Sequence, residues 1–135
     1  MSKIYVLDTN AIREVSRDLI ESKKSDGRMI ITIQDVEFEV HNENKTKVLD
    51  VLNLDDKAYK KMAEIVNGFQ SVRNLIDYYN NKGTADVALL AFALTFNEGT
   101  FFDDEIIIVT EDKDLRIACD ELKTKWLSIN DFKMI

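Results

Sequence analysis

The residues with chemistry to offer are carboxylates, and they stand beside apolar stretches. Asp8 directly follows Ile4-Tyr5-Val6-Leu7, and Asp112 and Asp114 closely follow Ile106-Ile107-Ile108-Val109. Short apolar runs bounded by polar residues read as buried parallel strands. In an open α/β sheet the carboxyl edge of such strands is where ligands bind. Asp86 stands at the head of an apolar helix, and Glu37 and Glu39 lie on a short helix after another apolar run. If the strands are neighbours, these acids return to one edge. Two carboxylates about 4 Å apart repel by about 4 kcal/mol at an effective dielectric near 20. Acids gathered in that way must share protons or cations. With His41 the only histidine and Cys119 the only cysteine, a zinc site is disfavoured. An all-oxygen set suits Mg²⁺ or Mn²⁺. Ions of that kind orient a water, lower its pKa and offset charge on a phosphate, so the expected chemistry is phosphodiester hydrolysis.

Each acid also has an ordinary role open to it. Asp8 can cap a helix starting near Ala11. Asp86, Asp112 and Asp114 sit where a helix macrodipole favours negative charge by a few tenths to about 1 kcal/mol. Glu37 and Glu39, taken singly, read as solvated surface acids. Convergence is what separates the two readings.

The elements that must position these residues follow from periodicity. Residues 11–24 read as one helix, with Ile12, Val15, Leu19 and Ile20 at helical spacing. Met29-Ile30-Ile31-Thr32-Ile33 is a second strand, and a short helix follows to about Val40. Residues 42–54 carry no clear signal; Val48–Leu52 fits strand, helix or loop. From residue 55 to 80 an apolar stripe through Tyr59, Met62, Val66, Phe69, Val72, Ile76 and Tyr79 predicts helix, broken or bent at Gly68. Residues 80–83 read as a loop, after which Thr84 caps a helix over 85–96 that is apolar on nearly every side and therefore buried. The strand at Ile106 leads into a helix ending near Lys123; residues 125–129 read as an edge strand and 130–135 as a short helix or tail. Strands alternating with helices mean a parallel sheet sandwiched by helices.

Length and composition agree with this. The chain has 135 residues, the size of a single domain spanning 1–135, and such a domain buries roughly two-thirds of its unfolded surface. At 45% hydrophobic and 32% charged it is globular rather than disordered. No apolar run approaches about 18 residues, so no membrane span is expected, and no signal peptide is evident. A lone cysteine suits a reducing cytoplasm, the expected location. The net charge of −7 argues against a nucleic-acid binder that works through a basic surface; a polyanion would be held through bound cations or a local patch.

The order Val6-Leu7-Asp8-Thr9-Asn10, then Val36-Glu37-Phe38-Glu39-Val40, then Thr84-Ala85-Asp86 heading an apolar helix, then Val109-Thr110-Glu111-Asp112-Lys113-Asp114-Leu115 resembles the PIN-domain family. The resemblance covers nearly the whole chain, residues 42–80 matching only in being helical. It implies a three-layer α/β/α fold with a central, mostly parallel sheet of about four to five strands. It implies an acidic cluster holding Mg²⁺ or Mn²⁺, and single-strand ribonuclease activity of the kind found in the toxins of toxin–antitoxin pairs. Carried over by position, Asp8, Glu39, Asp86 and Asp112 are the expected catalytic acids. Asp8, Asp86, Asp112 and Asp114 are the expected metal ligands, with Asp114 supporting or alternative. Thr9, Asn10 and Thr110 would orient the carboxylates. Lys113 and Arg116 are candidates for RNA contact. Gln34 stands where members often have proline, and Glu37 competes with Glu39, a choice that helix phase decides. An antitoxin protein and a homodimer are the implied partners, with Tyr78-Tyr79 or the 55–80 region as a dimer surface.

Two functions therefore stand side by side: a metal-dependent endoribonuclease, and a catalytically inactive PIN-like module that binds RNA or protein. A phosphoacceptor receiver domain is also α/β with acids at strand ends, but it requires paired acids after the first strand, where this chain has Asp8-Thr9-Asn10.

Overall fold

Continuous apolar runs become the centre of the sheet. In the computed structural model, which describes residues 2–41, 43–77, 83–98 and 103–135, strand β1 (Lys3–Leu7) lies between β2 (Met29–Ile33) and β4 (Glu105–Val109). Four consecutive residues of each are buried or nearly so, as strands covered on both faces require. The edges are the three-residue strands β3 (Asp50–Leu52) and β5 (Lys125–Leu127), giving the order β3-β2-β1-β4-β5 with every neighbouring pair parallel. Short edges leave little unpaired backbone. The chain builds outward from β1 in one direction through β2 and β3, then crosses to β4 and β5 on the other side. The strand order thus reverses between β1 and β4. A crevice outside the carboxyl ends of those two strands is the place such a sheet offers a ligand.

Helices cover the sheet, so the arrangement is three-layer α/β/α as the pattern predicts, with five strands, all parallel. Helix α7 (Thr84–Thr95) is the most deeply set, with Ala85 and Val87 through Phe92 buried, and it packs on β4, on α3 (Gln34–Val40) and on α5 (Asp56–Gly68). Helix α8 (Lys113–Leu122) lies against β5 and against α6 (Gln70–Arg73). No described helix is long and apolar enough to cross a membrane.

Several expectations are corrected. The single helix expected over 11–24 is two, α1 (Thr9–Glu14) and α2 (Arg17–Ser25). Val15 turns extended and Ser16 caps α2, its Oγ accepting from the Leu19 N–H at 3.1 Å. A serine competes well for that role, and apolar spacing alone does not register it. The end of α1 is tied down from a distance: Lys45 Nζ, on the short helix α4 (Glu43–Thr46), donates to Ile12 O at 2.9 Å and Arg13 O at 2.7 Å. The stripe expected from Tyr59 onward packs on the core through Met62, Val66, Phe69, Val72 and Ile76, but not at Tyr59 itself. Ala58 and Ile65 face the core, while Tyr59 is exposed. Residues 125–129 are not all strand; Ser128 caps a final helix, α9 (Ile129–Met134). Lys23, buried on α2, donates to Lys133 O and Ile135 O at the end of that helix and lies over the Phe132 ring. The expected break at Gly68 is present, with Phe69 extended between α5 and α6. Residues 78–82 and 99–102, including Tyr78-Tyr79, lie outside the described residues.

Thr84 is not the cap of α7. Gly83 is, at φ 94°, and its carbonyl accepts from the Val87 N–H. A Cβ at Gly83 would fall 1.8 Å from Leu75 O, so both conformation and space demand glycine there. Gly83→Ala should therefore cost about 2–3 kcal/mol in a denaturant melt. Gly68→Ala, where a Cβ meets nothing within 4 Å, should be neutral or stabilising by up to about 1 kcal/mol. Equal midpoints for the two variants would contradict the close approach at Gly83.

Candidate active site

Parallel pairing sets the site. Leu7 is opposite Val109, and the Asp8 N–H continues the ladder by donating to Val109 O at 3.2 Å. The residues just past β1 and just past β4 therefore emerge side by side. Thr110 is fully buried between them. Its hydroxyl hydrogen-bonds the Asp8 carboxylate, and its Oγ1 accepts from the Asp112 N–H at 3.0 Å. On the other flank Thr32 Oγ1 donates to Leu7 O, fixing β2 against the end of β1.

Asp8 and Asp112 are both helix caps, so their ordinary role and their place at the edge coexist. Asp8 Oδ1 accepts from the Ala11 N–H at 2.8 Å, and Asp112 Oδ1 accepts from the N–H groups of Asp114 and Leu115 at 2.8 and 3.0 Å. Each cap uses Oδ1. Capping also prevents the carboxylates from swinging away, since the backbone of α1 and α8 grips them.

Helix phase decides between the two glutamates. Val36 and Val40 are the buried residues of α3, which turns Glu39 toward the crevice. Glu39 Oε2 accepts from Thr9 Oγ1 at 2.6 Å. Glu37 does not line the crevice. Asp86 enters from the first turn of α7. The result is an open cavity of about 590 Å³ lined by Asp8, Glu39, Asp86 and Asp112, with Thr9, Asn10, Arg13, His41, Leu75 and Gly83 completing it. Four acids from four separate stretches of chain thus share one pocket.

The rest of the expected set is placed differently. Asp114 and Lys113 are exposed on the first turn of α8 and do not line the cavity. Arg116 is committed elsewhere: it donates to Thr110 O and to Glu111 Oε2 (2.6 Å) and stacks on Trp126, 4.5 Å from the ring centre. Glu111 in turn accepts from the Ile129 N–H through Oε1, so this network fastens α9 beneath the site. Arg13 and His41 also line the cavity. The sequence marks Arg13 only as part of a helix's polar face, and His41, held at φ 52° at the end of α3, only as the single histidine.

The electrostatics are those of crowded, partly desolvated acids. Burial raises the Asp8 carboxyl from 3.8 to about 6; the charges of Asp112 and Glu111 add to this, and the bonds from Thr110 and Ala11 oppose it. Asp86 is pushed up to about 7, by burial first and then by Asp112, Asp8 and Glu39 in turn. The donors are all oxygen, which fits a hard divalent ion, and such an ion would relieve the repulsion. Among the described residues, no three His, Cys, Asp or Glu side chains are grouped as ligands of one ion. The buried Cys119 thiol is held up at about 11 by its surroundings, so it is no nucleophile at neutral pH.

Carboxyls raised in the folded state bind more protons there than in the unfolded chain. Without metal, stability should therefore fall as pH rises from about 4 through about 7, the window set by the ordinary 3.8 and the raised values. Asp86→Asn removes the larger of these costs. In a chelator at pH 8 it should melt above the wild type, by an amount worth up to a few kcal/mol, with the difference shrinking toward pH 4. A variant that melts lower at pH 8 and shows no pH dependence would contradict the assignment of burial as the cause.

No family model and no curated protein matches the chain. Among solved structures it is similar to the crystal structure of PAE2754 from Pyrobaculum aerophilum, with a TM-score of 0.63 and 12% identity over 99% of this chain and 96% of that one. At that identity the likeness is one of fold, and it extends to the whole chain.

Proposed function

We propose that this chain is a divalent-metal-dependent endoribonuclease that hydrolyses phosphodiester bonds of single-stranded RNA. The observation that carries the reading is the meeting of Asp8, Glu39, Asp86 and Asp112 in one open cavity at the carboxyl edge of the sheet. The order of motifs that resembles PIN domains supports it, and within that resemblance the chain is a candidate toxin of a toxin–antitoxin pair. Asp8, Asp86 and Asp112, with Glu39, are the residues that would hold Mg²⁺ or Mn²⁺; Asp114 is a supporting candidate. A bound ion of this kind supplies a more acidic water and offsets charge on the phosphate.

The chain's own residues do the positioning. Thr110 and the Ala11 N–H fix one face of Asp8, while Thr9 holds Glu39 from the start of α1. Such restraint keeps the carboxylates from collapsing onto other donors. With two of them raised toward neutrality, Asp86 holds a proton near pH 7, which a cation held by these residues would displace. Lys113, exposed beside the capping Asp112, is a candidate contact for the RNA backbone.

The second reading is a PIN-like module that binds RNA or protein without cleaving. The observation on its side is that no three acids are grouped as ligands among the described residues. Two measurements separate the readings. Wild type should cut a single-stranded RNA in Mn²⁺, and Asp8→Asn should lose at least about a hundredfold in rate, the scale of a lost metal ligand or positioned charge. Millimolar Mn²⁺ should also raise the melting midpoint of wild type, because a ligand held only by the folded state must stabilise it, and should not raise that of Asp8→Asn. Equal cleavage by both proteins would remove the hydrolase reading; a metal-insensitive midpoint would favour the inactive module.

A further inference from the structure

We infer that Arg13 holds a phosphate of the bound strand at the rim of the acidic cavity, an inference that rests on the nucleic-acid reading above. Arg13 is the one lysine or arginine among the described residues that line the cavity. A guanidinium offers five N–H donors in a planar fork suited to phosphate oxygens. The other engaged arginines have spent theirs. Arg17 pairs with Glu21, Arg73 donates to Val66 O, Asn67 O and Gln70 Oε1, and Arg116 is taken up by Thr110, Glu111 and Trp126. Arg13 makes a single long contact, Nη2 to Glu39 O at 3.4 Å, and no ion pair with any described carboxylate.

The backbone beneath Arg13 is fixed, while its side chain makes the one long contact to Glu39 O. Lys45 holds Ile12 O and Arg13 O, and Asp8 caps the other end of the same short helix. One rigid turn and a half of helix therefore carries an acid of the cavity at its start and an available guanidinium at its end. A polyanion approaching a pocket of four carboxylates on a chain of net charge −7 needs a cation at the entrance, and this is the residue in position to supply it. The contact reads the backbone, not the base.

The test is binding, measured with cleavage held off. A fluorescein-labelled single-stranded RNA is titrated in millimolar Ca²⁺ and followed by anisotropy, with a gel confirming that it stays uncut. Arg13→Ala should weaken binding by about tenfold or more and make the slope of log K against log salt shallower by about 0.7, the change for one phosphate contact on a single strand. Arg13→Lys should keep the slope and recover only part of the affinity. Arg13→Gln, which keeps a polar side chain without the charge, should behave like Arg13→Ala. Arg28→Ala, outside the cavity, should match wild type. Wild-type affinity and slope in Arg13→Ala, or no binding by wild type at all, overturns the inference. Cleavage by wild type in Mn²⁺ with unaltered binding by Arg13→Ala defeats this role alone; Arg13-dependent binding without cleavage defeats the hydrolase reading alone.

Discussion

The parallel pairing of β1 with β4 is the constraint on which the rest hangs. It joins segments about a hundred residues apart and sets Leu7 opposite Val109. Everything past those two residues must then leave the sheet at one edge, and the first polar residues to emerge are Asp8 and Thr110. A register slip of one residue would turn the strands' buried side chains to the opposite face. The crevice at the reversal of strand order follows from topology rather than from any local motif.

What the crevice contains is electrostatically costly. Asp8 is almost wholly buried, and Asp86 sits at the foot of the most apolar helix in the chain. A fold selected for stability alone would place apolar or amide side chains there, since burying like charges together opposes folding. The structure answers part of that cost locally. Two of the acids are caps, so helix N–H groups stabilise them, and two threonines tie Asp8 and Glu39 to neighbours. The part left over appears as carboxyls raised to about 6 and about 7. Raised carboxyls clustered in an open cleft are a common mark of functional sites.

The supports around the site are long-range and mostly cationic. Lys45 closes α1, Lys23 closes α9 and Arg116 binds the end of β4 to Glu111. In an acidic chain these cations are committed to backbone carbonyls and internal partners, which leaves Arg13 conspicuous as a cavity-lining guanidinium held by little.

The residues themselves determined the fold class and pointed to Asp8, Asp86 and Asp112 as acids of one sheet edge. Short runs rich in apolar and β-branched residues at 4–7, 30–33 and 106–109 read as buried strands, and a helix apolar on nearly every side with one acid in its first turn reads as a core helix with that acid at its end. Local periodicity could not settle matters of phase or competition. The break at Val15-Ser16 turns on a serine that caps its own helix, and the replacement of Thr84 by Gly83 as the cap turns on a carbonyl of Leu75 that leaves no room for a side chain. Likewise the choice of Glu39 over Glu37, and the arrival of Arg13 and His41 at the cavity, were decided only when α3 packed beside α1. A chain's pattern records which faces must be dry; which polar side chains then meet across the wet edge depends on how the elements are turned against one another.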